Sequence, residues 1–221
     1  MRRRAGGAGA GRGGRPRWPG GGRRRGDGAL AGARAAAAAH PAGARVTFVH
    51  ADATALGMRD EFDLACSRLV LSHLVEPAAA VRAMAGAVRP GGVVAVEDMF
   101  LGTLRADPPA PALRDLQEIY GATVRAAGGD PTIGPRLPAM LTAAGLVDVA
   151  QETVENRIDT ADGKRFLVQL LDNMREAILR AGAATAGELD GVRAGVDRAA
   201  ADPGVVFHQV RMHQVSGRRP A

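Results

Sequence analysis

Three short apolar runs, each closed by polar side chains, organise the first half of the chain. They are Val46-Thr47-Phe48-Val49-His50-Ala51-Asp52-Ala53, Phe62-Asp63-Leu64-Ala65-Cys66-Ser67 and Val93-Val94-Ala95-Val96-Glu97-Asp98, the last following the turn Arg89-Pro90-Gly91-Gly92. Runs of this length without alternation, bounded by turn residues, read as strands of a parallel sheet buried on both faces. Between the second and third, Pro77 opens a helix whose Val81, Met84 and Val88 share one face. Beyond them, Pro108, Pro109 and Pro111 precede a helix with Leu113, Leu116, Tyr120 and Val124 on one side, which reads as a lid. Arg136 to Ala144 is a short helix with Gly145 as its C-cap, and Leu146-Val147-Asp148-Val149 begins a further strand. Gly163 to Arg180 predicts a long helix with Phe166, Leu170, Met174 and Ile178 facing inward, and another helix spans about Glu188 to Ala200. After Asp202-Pro203-Gly204, alternation over Val206 to Val215 predicts one final strand.

At 221 residues and 46% hydrophobic, the chain suits one α/β domain with a real core. A net charge of +6 invites a nucleic-acid reading until it is located. Residues 1–28 hold nine arginines against one acid, so the remainder is slightly acidic and lacks the basic character of a nucleic-acid-binding domain. Cys66, the single cysteine, allows no intrachain disulfide and reads as a small residue inside a buried strand. No metal site is expected: His40, His50, His73, His208, His213 and Cys66 show no ligand spacing. No apolar stretch reaches membrane-span length and none has a signal-peptide core, so the expected compartment is the cytoplasm.

The Asp52-Ala53 pair, the Phe62-Asp63 opening of the second run and the Pro90-Gly91-Gly92 turn resemble the class I S-adenosylmethionine-dependent methyltransferases. In these the third strand ends in Asp-Ala, the fourth opens with Phe-Asp and the fifth follows a Pro-Gly-Gly turn. Leu30-Ala31-Gly32-Ala33-Arg34 is similar to the helix after their second strand, so the resemblance covers about Leu30 to Ala221. It implies a Rossmann-like, doubly wound, mostly parallel sheet with an antiparallel last strand and extra helices covering the pocket. It also implies S-adenosylmethionine as cofactor and methyl transfer to a small organic acceptor, without membrane or nucleic-acid partners. Asp52 would meet the adenine amino group, the Ala53 amide a ring nitrogen, and Ser67 and Arg68 would line the methionine end. Asp52 equally suits a cap on the turn before Thr54-Ala55-Leu56. His73 suits either a general base or a structural role, and Glu97 and Asp98 either face an acceptor or cap a loop. No catalytic residue is singled out.

The resemblance stops at the N-terminus. Nine arginines and eleven glycines in the first 28 residues cannot bury enough surface to offset ordering, so 1–28 is expected to be disordered and 29–221 to form the methyltransferase-like domain. The family's first strand, glycine-rich loop and ribose-binding acid belong in that stretch. Gly7-Ala8-Gly9-Ala10-Gly11 imitates the loop without a strand before it, and Asp27 is the nearest acid. With one lysine against 28 arginines, the pattern fits GC-rich codons read in a shifted frame. Three rivals remain: a genuine Arg/Gly arm binding nucleic acid through phosphate charge, a methyltransferase-like interaction protein without catalysis, and a dinucleotide oxidoreductase lacking its glycine fingerprint. The chain as written is expected to bind cofactor weakly and to aggregate. The shifted-frame reading requires that the gene's alternative frame upstream of Leu30 encode an apolar strand followed by a glycine-rich loop. A frame without them ends that idea.

Overall fold

The computed structural model describes residues 27–41 and 43–221. The segment expected to be disordered lies almost entirely outside them. The chain forms two units, one up to His50 and one from Ala51 onward. As far as it is described, the first holds helix α1 (Asp27–Ala38), a short 3-10 turn at Gly43–Arg45 and an extended stretch after it. Arg34 Nη2 donates to the Phe48 carbonyl at 3.3 Å, tying that stretch to α1.

The second unit is built on a four-stranded sheet. Its strands are β1 (Phe62–Arg68), β2 (Val88–Phe100), β4 (Val147–Val154) and β7 (Arg211–Arg218), in the order β1-β2-β7-β4. β1 and β2 are parallel, and β7 is antiparallel to both β2 and β4. Three strands therefore share one direction and the last strand opposes them, giving the expected Rossmann-like α/β sheet with an antiparallel last strand. Helices α2 (Pro77–Ala87) and α4 (Leu137–Ala143) pack their apolar sides on one face. Val81 and Met84 from α2 and Leu137 and Leu141 from α4 meet Val94, Val96 and Val215 there, all buried. Pro77 starts α2 as expected, and Gly145 at φ +84° ends α4. There the Leu146 amide reaches back to the Leu141 carbonyl, the Schellman closure that a left-handed residue permits.

A helical cap carries a second core. It contains α3 (Pro111–Ala126), α5 (Ala161–Arg180) and α6 (Ala186–Ala201), with a small sheet ordered β3 (Arg105–Asp107), β6 (Val206–His208), β5 (Arg157–Ile158). Leu113, Leu116, Tyr120 and Val124 of α3 are buried as the sequence pattern requires. Met99 and Met212 from the main sheet join Tyr120 and Val124 in the layer between the two cores. Thr185 and Glu188 form a reciprocal capping box at the start of α6.

Several expectations need correction. Val46 to Ala53 forms no strand among the described residues, and Val46 and Val49 are 50% and 59% exposed. A parallel strand needs a neighbour to receive its backbone groups, and within residues 51–221 the sheet ends at β1. Cys66 is exposed, as are Phe62 and Leu64 on the same face of β1. α5 buries Leu167, Val168, Leu171 and Ile178, leaving Phe166 53% exposed and Leu170 and Met174 half-buried. The final alternating stretch divides at Gln209-Val210 into β6 and β7, which belong to different sheets.

One residue the periodicity misses is the chain's single lysine. Lys164 is 1% exposed, and its Nζ donates to the carbonyls of Asp202 and Val205 at 2.6 and 2.9 Å and lies 5.8 Å from the centre of the Phe207 ring. It pins α5 to the turn between α6 and β6. Replacing Lys164 with Met keeps most of the packing and strands two buried carbonyls, so denaturant unfolding is expected to show a loss of about 1–3 kcal/mol. Phe166→Ala, on the exposed side of the same helix, is expected to cost well under that.

Candidate functional site

In open α/β sheets ligands bind at the carboxyl ends of parallel strands. In this protein that edge is formed by Ser67-Arg68 of β1 and Glu97-Asp98 of β2, aligned by a register that sets Ser67 beside Val96 and Arg68 beside Glu97. Alternation along β2 sends the two acids to opposite faces. Glu97 turns toward an open groove of about 500 Å³ lined by Ser67, Arg68, Ala95, Glu152 and Gln214 among others. Its carboxylate accepts from Arg68 Nε at 2.8 Å and from Gln214 Nε2 at 3.1 Å. The Glu97 carboxylate raises the pKa of the Arg68 guanidinium, first by hydrogen bonding and then by charge. The Ser67 hydroxyl is buried and has no partner, although its residue lines the groove.

Asp98 points the other way and is fully buried. One carboxylate oxygen accepts from the Ser72 amide at 3.0 Å and the other from the Met99 amide at 2.9 Å. It caps a loop and does not face an acceptor, fixing the 3-10 turn Leu71–His73 against the carboxyl edge. Burial raises the Tyr120 pKa, and the Asp98 charge adds to it, which brings the α3 phenol into the same neighbourhood. Across the ladder from Asp98 stands His213, 5% exposed, whose Nδ1 is 2.9 Å from Gln151 Nε2. The other ring nitrogen, Nε2, is buried without a partner. Burial, assisted by the Arg211 charge, lowers the His213 pKa. His73 is exposed at the end of its turn.

Of the four sequence-predicted cofactor residues, Ser67 and Arg68 come together in the groove, and Asp52 and Ala53 do not join them. Asp52 is exposed, and one oxygen accepts from both the Thr54 amide and the Thr54 hydroxyl, at 2.8 and 2.7 Å. Those hydrogen bonds, the hydroxyl's first, hold its pKa below the ordinary carboxylate value. It caps a turn. Ala53 packs at the edge of the α2 core. The residues sequence reasoning missed, Gln214, His213 and Gln151, lie on late strands whose register only the folded sheet reveals. Among the described residues, no three His, Cys, Asp or Glu side chains gather as a metal site, and no helix is long and apolar enough to cross a membrane.

This arrangement tests the fit to an S-adenosyl cofactor in two parts. An unpartnered hydroxyl beside a fixed cation and carboxylate suits an amino-acid end carrying both charges. For the adenine end, Asp52 and Ala53 lie outside the lining of that groove, and among the described residues their segment forms no strand.

Comparison with known proteins agrees with the fold. The methyltransferase-domain family matches residues 27–96. No curated relative matches the chain. Among solved structures, the cyclase SpnF aligns at TM-score 0.50 and 18% identity, covering 88% of this chain and 64% of that one. The phosphoethanolamine N-methyltransferase 2 of Haemonchus contortus, in complex with phosphomonomethylethanolamine and S-adenosylhomocysteine, aligns at 0.46 and 19%, covering 80% and 38%. The YcgJ protein of Bacillus subtilis aligns at 0.47 and 16%, covering 80% and 72%.

His213 gives the site a defined acid sensitivity. Its folded pKa lies below the unfolded value near 6.5, so the unfolded chain binds the extra proton. Its contribution is complete above about pH 6.5 and is lost as pH falls through the folded pKa. Urea midpoints measured between pH 7 and pH 5 are expected to fall for the native chain and to fall less for His213→Gln.

Matched stretch and sheet topology agree, and the chain is similar in sequence pattern and in fold to the class I S-adenosylmethionine-dependent methyltransferases.

Proposed function

We propose that residues 29–221 are a methyltransferase-like domain whose parent reaction is S-adenosylmethionine-dependent methyl transfer to a small organic acceptor. The observation that carries this reading is the carboxyl-edge groove in which Ser67, Arg68 and Glu97 converge, within a chain whose residues 27–96 match a methyltransferase domain. Fold alone would not suffice, since one structural neighbour is named a cyclase.

The cofactor brings a methyl group already activated by a sulfonium charge, so the protein's work is positioning and exclusion of water. Orientation of that kind contributes on the order of 7–11 kcal/mol. Arg68, fixed by Glu97, presents a cation for the carboxylate of the methionine end, and Glu97, fixed by Arg68 and Gln214, presents an anion for its ammonium. The Ser67 hydroxyl is free to pair with either. Asp98 holds the Leu71–His73 turn in place above the edge. The cap helices α3, α5 and α6 suit a small acceptor better than a macromolecule. A general base is required only for a neutral hydroxyl acceptor, and none is assigned. Asp52 and Ala53 serve adenine in this reading only if Val46 to Ala53 gains a strand neighbour. Without one, the domain would persist as the non-catalytic interaction protein.

Calorimetric titration of S-adenosylhomocysteine separates these outcomes. It is to be run on the chain as written and on a form whose start is rebuilt from the alternative reading frame. Tight binding by the rebuilt form, weak binding by the chain as written, and a loss of ten-fold or more in the rebuilt form on Arg68→Ala are expected. Binding by neither form would leave the interaction protein as the reading.

A further inference from the structure

We propose that the seam between the main sheet and the cap sheet is a binding site for the phosphate group of a small organic ligand, held by Arg105, Arg157 and Arg211. Naming that ligand the methyl acceptor rests on the methyl-transfer reading; the site itself follows from backbone register. In the small sheet His208 of β6 stands directly opposite both Arg105 of β3 and Arg157 of β5. Alternation sends Ala106, Phe207 and Ile158 into the cap core, so Arg105, His208 and Arg157 share the outer face. With strands about 4.8 Å apart, the two arginines flank the histidine at roughly 10 Å between Cα atoms. Two guanidinium side chains can close on one oxyanion across that span.

Arg211 joins them from the main sheet. The chain passing from β4 to β5 runs beside the chain passing from β6 to β7. The two crossings are tied by the Gln209 amide to the Asn156 carbonyl at 2.9 Å and by Asn156 Nδ2 to Gln209 Oε1 at 3.1 Å. Glu155 sits at this crossing. One of its oxygens pairs with Arg105 Nη1, and the other lies 3.5 Å from Arg211 Nη2. Arg105 Nη2 lies 3.0 Å from His208 Nδ1. Glu155 therefore holds two guanidiniums in place and neutralises one. Arg157 is exposed, and among the described residues its side chain has no hydrogen bond or ion pair. Asp107 and Asp159, each two residues along the chain from Arg105 and Arg157, pair with none of the three arginines.

Three guanidiniums against one paired carboxylate leave two positive charges, the complement of a phosphate monoester dianion. Residues 1–50 hold eleven arginines and one acid, so they do not supply the missing anion. Arg211 is paired with Phe100, the last residue of β2, which puts the seam at the same carboxyl end of the sheet as Ser67, Arg68 and Glu97.

The test is titration of the full chain with inorganic phosphate and with methyl phosphate at about pH 7.5, where a monoester is a dianion, at constant ionic strength. The readout is the backbone amide resonances of Arg105, Arg157, His208 and Arg211. Saturating shifts at these amides are expected for both anions, with dissociation constants on the order of millimolar. Arg157→Gln is expected to weaken binding about five-fold or more and to leave thermal melting unchanged, because that side chain has no partner to lose. Arg180→Gln, at the far end of α5, is expected to leave binding unchanged. Shifts that do not saturate, or equal weakening by Arg157→Gln and Arg180→Gln, would overturn the proposal. Binding of inorganic phosphate with methyl phosphate excluded would overturn the assignment to an organic ligand and leave free phosphate as the occupant. No cofactor takes part in these titrations, so a failure of S-adenosylhomocysteine to bind ends the methyl-transfer reading without touching the anion site.

Discussion

The ladder on both sides of β2 is the constraint on which the rest depends. β2 is the longest strand, and its backbone is committed to β1 in parallel and to β7 in antiparallel fashion over most of its length. Those two registers decide what stands next to what at the carboxyl edge: Arg68 beside Glu97 on one side, His213 beside Asp98 on the other. Alternation then divides the chemistry between faces. Glu97 reaches the groove, whereas Asp98 turns inward and spends its charge on two backbone amides, a use that pays for its desolvation. Without the parallel pairing of β1 the groove has no Ser67 or Arg68, and the Ser72 turn has nothing to anchor.

The helical cap is held by different forces. Its core of Leu113, Leu116, Leu167, Leu171, Ile178, Leu189 and Phe207 supplies most of the driving force, at about 1.5–3 kcal/mol for each large side chain buried. Ion pairs Arg193–Asp172 and Arg175–Asp190 stitch α5 to α6 on the surface. They are exposed and contribute little beyond register. Lys164 is the specific element, a buried cation satisfied by carbonyls, and it fixes where α5 meets the chain entering β6.

What the sequence disclosed follows from where short-range chemistry is decisive. Pro77 and Gly145 act within one helical turn, and the helices they bound appear where expected. β2 and α3 were legible because their apolar patterns match their surroundings. Val46 to Ala53 was not, because a strand is a property of a pair, and its composition suits a parallel sheet whose neighbour is not among the described strands. Cys66 was misjudged for the same reason, since an apolar run signals burial only when something covers it. α5 was shifted by one residue class: Phe166 and Leu167 are both apolar, and only the position of the cap decides which faces inward. Of the site, Ser67, Arg68 and Glu97 could be named from local sequence. Gln214, Gln151 and His213 became visible only with the late strands in register, and Asp52 proved to cap a turn.

Among the described residues the sheet begins at β1 and is held by β2, with the Asp52 segment outside it. Native-state hydrogen exchange reads this directly, amide by amide. Inner β2 and β7 amides are expected to exchange slowest, and the amides of Thr47, Phe48 and Val49 close to the rate of an unstructured peptide. Protection over Thr47 to Val49 comparable with that of β2 would contradict it, showing that this run is a paired strand after all.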